Sequence, residues 1–170
     1  LYYARSNSVE KDYLVKELNL KDMVQKAVRS NARIMISNKV KISMNNLDQK
    51  IFSDEKWLLF ILNQIISNAV KYKKEDPQIS FEARKSTNQI FLEIRDNGIG
   101  IAAKDLPRVT DKGYTGTTGR NYEKSTGMGL YLCKKLCDKL QLSFKIESKE
   151  EEYTIVTIGF PRSSMIFLNE

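Results

Sequence analysis

Apolar residues recur along this 170-residue chain with two different periods, and the alternation between them divides it into elements. The clearest helical stretch runs from about Glu55 to Tyr72: Leu58, Leu62, Ile65 and Ala69 line one face, and Trp57, Ile61 and Ile66 widen it. Ahead of it, residues 9 to 19 alternate loosely through Val9, Tyr13, Val15 and Leu18 as a strand. Asn19 then stands where an N-cap belongs, before a helix carrying Met23, Ala27, Val28 and Ala32 on one side. Val40, Ile42 and Met44 alternate as a strand, and Ile51 and Phe52 begin a short one that Ser53 or Asp54 stops and caps. Beyond Pro77, Ile79, Phe81 and Ala83, then Ile90, Leu92 and Ile94, make two strands across the polar turn Ser86-Thr87-Asn88. Leu132, Leu136 and Leu140 mark a last helix from Met128 to about Leu140, and strands at roughly 142–148 and 153–160 close the chain.

Between Asp96 and about Ser125 neither period holds. Some thirty residues without a pattern exceed an ordinary connection and point to a lid or binding loop. The element order is β-α-β-β-α-β-β-(loop)-α-β-β, which predicts an α/β chain with a mixed sheet. Its three helices are most economically stacked on one face, as a two-layer sandwich.

Composition changes this picture in three ways. Hydrophobic residues are 41% and charged residues 29% of the chain, enough to bury one core and too balanced for a disordered tail. No apolar run approaches the length of a membrane span. Cys133 and Cys137, four apart on one helix, are too few for a disulfide framework and point to a reducing compartment; they read as two buried or half-buried thiols. His is absent, which excludes Ser-His-Asp hydrolysis, Cys-His catalysis and imidazole as a base within this stretch. The net charge of +7 suits a polyanion partner, yet Lys and Arg are scattered rather than striped and no nucleic-acid motif is present.

Seven of the eight glycines fall between Gly98 and Gly129, so nearly all the permissive backbone lies in one stretch. Three patches around it carry candidate chemistry. Gln64 and Asn68, with Lys71 and Tyr72 a turn later, share one polar stripe of the long helix. Asn68 within IISNAV fits a satisfied buried amide, or a hard oxygen ligand for Mg²⁺ that adds no negative charge beside a phosphate. Asp96-Asn97-Gly98-Ile99-Gly100-Ile101 follows a strand directly. It fits a simple β-turn, or a carboxylate acceptor for an exocyclic amine beside a backbone that admits a flat ligand. Ser125-Thr126-Gly127-Met128-Gly129-Leu130 opens the last helix and leaves N–H groups free for phosphate. Neither glycine element is a P-loop or a Rossmann fingerprint.

Taken together, QIISNAVKYK, DNGIGI and STGMGL resemble, in order and spacing, the N box and two glycine boxes of a known family. It is the catalytic ATP-binding domain of bacterial sensor histidine kinases, within the gyrase/heat-shock-chaperone/histidine-kinase/MutL superfamily. LPRVTDKGYTGTTGRN with STGMGLYLCKKL is most similar to the intramembrane-sensing kinases of the bacitracin and antimicrobial-peptide response type. The resemblance implies a Bergerat-type fold with a mostly antiparallel sheet and an ATP lid at about 102–125. It implies a catalytic domain over residues 9–170, with residues 1–8 ending an upstream dimerisation helix or linker. Asn68 would ligate Mg²⁺ bridging the ATP phosphates, Lys71 would approach them, and Gln64 and Tyr72 would line the nucleotide. Asp96 would bind adenine N6, with Gly98, Gly100 and Ile101 shaping the pocket and Thr154 holding a bridging water. Thr126, Gly127, Met128, Gly129 and Leu130 would cover the phosphates, with Lys112, Tyr114 and Arg120 contributed by the lid.

Three departures stand out. Thr110 replaces an expected aromatic in the lid, the Gly that often precedes Thr154 is missing, and Gln64 stands where ATP-hydrolysing branches carry Glu. Gln cannot take a proton from water at neutral pH, so the site suits transfer to a separate nucleophile. The phosphoacceptor His would then lie upstream, on the dimerisation domain of a homodimeric, plasma-membrane sensor whose cytoplasmic part this is. A cognate response regulator and a transporter in the sensing complex are the further implied partners, and nucleic acid is not. A rival reading is an ATPase module that dimerises on ATP; another is a nucleotide-idle pseudokinase that binds proteins.

Overall fold

Two side-chain caps decide where the long helices begin. In the computed structural model, which describes residues 13–114 and 129–162, strand β1 (Val15–Asn19) runs straight into helix α1 (Leu20–Ser30). The Asn19 side chain accepts a hydrogen bond from the Asp22 N–H at the junction (3.2 Å). A short helix α2 (Ala32–Ser37) follows, then β2 (Lys41–Asn45) and β3 (Lys50–Asp54). Asp54 ends β3 and caps α3 (Glu55–Lys71), its carboxylate accepting from the Trp57 N–H at 3.0 Å and from the Leu14 N–H at 2.7 Å. One residue thus fixes the start of α3 and the strand beside it.

Strands β4 (Gln78–Lys85) and β5 (Gln89–Asp96) form the hairpin, and α4 (Gly129–Lys139) precedes β6 (Ser143–Lys149) and β7 (Tyr153–Pro161). The five-stranded sheet has the order β2-β4-β5-β7-β6; β2 and β4 are parallel and every other pair is antiparallel. Alternation gives this sheet a dry face. Ile79, Phe81 and Ala83, Ile90, Leu92 and Ile94, and Val156, Ile158 and Phe160 are all buried there. Against them lie Leu58, Ile61, Leu62, Ile65 and Ile66 of α3 and Leu136 of α4, with α1 and α4 packed on α3.

The two-layer mixed-sheet architecture is as expected, with three differences of detail. There are four described α-helices rather than three, because Asn31 breaks the predicted second element into α1 and α2: its side chain donates back to the Ala27 carbonyl and across to Asn63 (2.8 and 2.9 Å). Strands β1 and β3 pair with each other as a separate antiparallel ribbon instead of joining the sheet. The patternless stretch holds a 3₁₀ turn at Leu106–Arg108, too short for any hydrophobic period to reveal. Residues 1–8 and the later part of the expected lid lie outside the described residues. Among the described residues no helix is long and apolar enough to cross a membrane. Cys133 and Cys137 are buried and unpaired; burial pushes the Cys137 thiol up to about 12 and that of Cys133 well up too, so neither is a reactive thiolate.

Candidate functional site

The period of two along β5 carries Asp96 onto the same face as Ile90, Leu92 and Ile94, as the last residue of the strand. Cross-strand pairing extends this into a row: Ile42, Ile79, Asp96, Thr154 and Ser148 stand side by side across all five strands. The two residues on β2 and β4 are apolar, and the three from β5 onward are polar. Asp96 is half-buried, and its carboxylate accepts the Gly98 N–H at 2.9 Å. Burial pushes the carboxyl up to about 6, against the pull of that N–H and of Arg95. Arg95 itself belongs to the opposite face, its guanidinium 4.4 Å over the Tyr153 ring.

The loop after Asp96 is clamped from two sides. Its Ile99 N–H donates to the Tyr72 carbonyl at the C-terminal end of α3 (3.0 Å), and its Ile99 carbonyl accepts from Glu151 N–H in the β6–β7 turn (2.6 Å). A Cβ on Gly98 would sit 2.5 Å from the Tyr72 carbonyl oxygen, and one on Gly100, where φ is +68°, would collide with the Lys149 carbonyl. Both glycines are therefore demanded by close backbone approach. The clamp brings the DNGIGI loop against the last turn of α3, which also carries Asn68, Lys71 and Tyr72.

The other end of the polar stripe meets the last helix. A Cβ on Gly129, the first residue of α4, would lie 2.7 Å from the Gln64 side-chain oxygen. From Gln64 to Tyr72 the stripe runs roughly 12 Å at 1.5 Å per residue. Asp96's loop stands at one end and the start of α4 at the other. Gln64 and Asn68 are half-buried, and neither side-chain amide has a hydrogen-bond partner among the described residues. The Lys71 ammonium lies 5.3 Å over the Tyr72 ring.

The lid residues divide. Thr126, Gly127, Met128 and Arg120 lie outside the described residues, whereas Lys112 and Tyr114 are described. Lys112 is exposed, beside Gly113 at φ +75°. The Tyr114 hydroxyl donates to the buried Asp105 carboxylate, and Arg108 covers the ring at 4.5 Å, so this foot of the lid has its own internal ties. Thr154 stands opposite Asp96 in the strand register, and its hydroxyl meets the Ser148 hydroxyl at 3.0 Å.

Sequence reasoning missed Ser148 and Asp105. Ser148 was within reach of it: on KIESK it takes the inward parity of Phe144 and Ile146, so a polar residue there calls for a partner. Asp105 gave no such signal, because it precedes a 3₁₀ turn with no period around it. Among the described residues no cluster of three or more His, Cys, Asp or Glu is placed to hold a metal ion. The side-chain amide oxygens of Gln64 and Asn68, unpartnered among the described residues, are the hard donors of the stripe that could meet a cation.

Residues 53–164 match the protein family described as histidine kinase-, DNA gyrase B-, and HSP90-like ATPase. The chain is similar to the sensor histidine kinase YxdK of Bacillus subtilis, 35% identical over 162 residues, which are 94% of this chain and 50% of that protein. It is similar also to the sensor protein BceS of Bacillus subtilis, 35% identical over 95% of this chain and 48% of that protein. The sensor protein kinase GraS of Staphylococcus aureus is 33% identical over 98% of this chain and 48% of its own length. The chain spans about half the length of these relatives. Among solved structures, the catalytic domain of histidine kinase ThkA superposes with TM-score 0.75 at 16% identity, over 88% of this chain and 98% of that one. The Acinetobacter baumannii histidine kinase AdeS superposes with TM-score 0.74 at 17% identity, over 95% and 76%. These two likenesses establish the fold.

Proposed function

From the premise that this chain belongs to the histidine kinase-, DNA gyrase B-, and HSP90-like ATPase family, we propose that it is the catalytic, ATP-binding part of a sensor histidine kinase. In this reading it binds Mg·ATP along the α3 stripe and delivers the γ-phosphoryl group to a His outside this sequence, which contains none. The observation that carries the reading is the clamp between the Tyr72 carbonyl and Gly98–Ile99. It puts the Asp96 carboxylate and the Asn68 stripe on the two sides of one junction.

Each residue then has a physical task. Asp96 accepts from the adenine exocyclic amine, while Gly98 and Gly100 let the loop close onto the Tyr72 and Lys149 carbonyls and so fix the wall beside the base. Tyr72 and Lys71 lie between base and phosphates, and the Lys71 charge offsets that of the polyphosphate. The N–H groups at the start of α4, with Gly129 and Leu130, face the phosphate end, where a helix N-terminus stabilises negative charge. Lys112 approaches the terminal phosphate from the lid. The Asn68 oxygen would be the protein's ligand to Mg²⁺, which when bound neutralises charge on the transferring group. Such transfer rests on positioning and charge neutralisation more than on a protein base. Gln64 accords with that, since an amide activates no water and leaves the phosphoryl group for the incoming imidazole.

The wider assembly follows as part of the same proposal. The acceptor His sits on a dimerisation domain preceding this part, and the phosphoryl group passes on to a response regulator. The parent is a membrane-associated sensor with this part in the cytoplasm, working beside a transporter.

A thermal-shift comparison of wild type and Asp96→Asn with ATP, ADP and GTP tests the core of this reading. Stabilisation by adenine nucleotides alone, lost in the variant, is the expected result. A flat response to ATP and ADP in the wild type would favour a protein-binding module with an idle site.

A further inference from the structure

The hydroxyl protons at the polar end of the cross-sheet row can be assigned one by one. Ser148 Oγ lies 2.7 Å from the Tyr153 carbonyl oxygen, which only accepts, so the single Ser148 proton goes there. The Ile101 N–H donates to the same Ser148 oxygen at 2.8 Å, which occupies one of its lone pairs. The remaining contact, 3.0 Å to Thr154 Oγ1, must then be donated by Thr154. Thr154 consequently spends its only proton on Ser148. Toward anything bound beside its cross-strand neighbour Asp96, it presents lone pairs alone.

We infer that Ser148 is a positioning residue that sets base selectivity by holding Thr154 as an obligate hydrogen-bond acceptor and by fixing the Ile101 end of the glycine loop. The inference rests on the adenine reading above and deepens it. Asp96 and Thr154 then form a pair of acceptors side by side. They suit a base edge that brings N–H donors, such as an exocyclic amine, directly or through a water that donates to them. A carbonyl oxygen in the same place would face two acceptors with no proton between them, and an unmatched buried acceptor is penalised. Selectivity against guanine therefore has a second source beside the carboxylate. Without the Ser148 hydroxyl, Thr154 is released to turn and donate, and the rejection of a carbonyl relaxes.

The experiment is titration of wild type, Ser148→Ala, Ser148→Cys and Ser148→Thr with ADP and with GDP, read by calorimetry. In Ser148→Ala the preference for ADP over GDP is expected to fall roughly tenfold, the scale of one neutral hydrogen bond. Ser148→Thr, which keeps the hydroxyl, restores it. Ser148→Cys has nearly the shape of serine with a much weaker donor and acceptor; it is expected to follow alanine, and it carries the test if Ser148→Ala fails to fold. Equal weakening of both nucleotides, or an unchanged ratio in both the Ala and Cys variants, would overturn the inference and leave the adenine reading intact. A wild-type chain that fails to bind ADP would overturn the adenine reading itself, and this inference with it.

Discussion

Gly129 opens α4 directly against the Gln64 side chain, and Gly98 passes equally close to the Tyr72 carbonyl, but the two contacts differ in what is able to yield. At Gly129 the near atom is the tip of a flexible side chain, 2.7 Å from where a Cβ would lie; at Gly98 it is backbone, at 2.5 Å. Gly98→Ala is therefore expected to cost about 1–3 kcal/mol by forcing apart the α3 terminus and the loop. Gly129→Ala should leave stability within about 0.5 kcal/mol. Urea unfolding of the two variants decides the matter: equal losses at both positions would contradict the contrast.

The Asp96 carboxyl gives the site a pH signature. Burial raises it to about 6, above the 3.8 of an unperturbed aspartate, with the Gly98 N–H and Arg95 opposing the rise. Between those values the folded chain holds a proton that the unfolded chain has released. This group's contribution to stability accordingly declines as pH rises from about 4 to 6, and it stays lost above. Nucleotide binding runs the other way, because an amine donor favours the ionised carboxylate. ADP affinity is expected to fall roughly tenfold from pH 7 to pH 5 through this group, a step missing from whatever weak affinity Asp96→Asn retains. Calorimetric titrations across that range would show it; a wild-type profile as flat as the variant's would argue against the assignment.

How much of this was legible in the sequence depends on whether a residue's role is local. The caps at Asn19 and Asp54, the buried face of α3 and the strands of the hairpin follow from period and end-signals, and each is where the pattern puts it. What escaped has non-local causes. The pairing of β1 with β3 as a ribbon of their own is a choice among partners that no window of sequence encodes. The break at Asn31 depends on a bond to Asn63, thirty-two residues away. In the site, the glycines signalled close approach but not what they approach: the Tyr72 and Lys149 carbonyls come from the end of an earlier helix and the end of a later strand. Ser148 carries an ordinary strand residue's signature and becomes meaningful only beside Thr154 and Ile101.

Asn68 separates ligand binding from folding. Its side-chain amide is half-buried and engages no described partner, so Asn68→Ala is expected to change stability by no more than about 0.5 kcal/mol. The stabilisation that Mg²⁺ adds to ATP binding should disappear in the variant. Melting curves with ATP, recorded with Mg²⁺ and with a chelator, would differ in the wild type and coincide in Asn68→Ala. A variant that keeps the full difference would remove Asn68 from the cation site.

Asp54 carries two duties at once, one at a helix start and one beside a strand. Its carboxylate caps α3 through Trp57 N–H and ties the chain at Leu14 N–H, from a buried position. Asp54→Ala removes both acceptors and leaves two donors unmatched, an expected loss of about 2–4 kcal/mol. Asp54→Asn retains an oxygen for one of them and should lose less. Equilibrium unfolding that ranks the asparagine variant below alanine would contradict this account of the cap.

Gln64 offers a gain-of-function test of the phosphate end. Its oxygen stands against the first residue of α4, so an acid there would lie beside a helix N-terminus, where negative charge is tolerated or favoured. Gln64→Glu replaces an amide that accepts no proton from water with a carboxylate that does, on a backbone already in place. A positioned base of this kind is worth roughly a hundredfold or more when it reaches the attacking water. Steady-state phosphate release from ATP is therefore expected to rise at least tenfold in Gln64→Glu and to vanish again in the Gln64→Glu/Asn68→Ala double variant. Release that stays at the wild-type level, in a variant that still binds ATP, would mean that position 64 does not face the terminal phosphate.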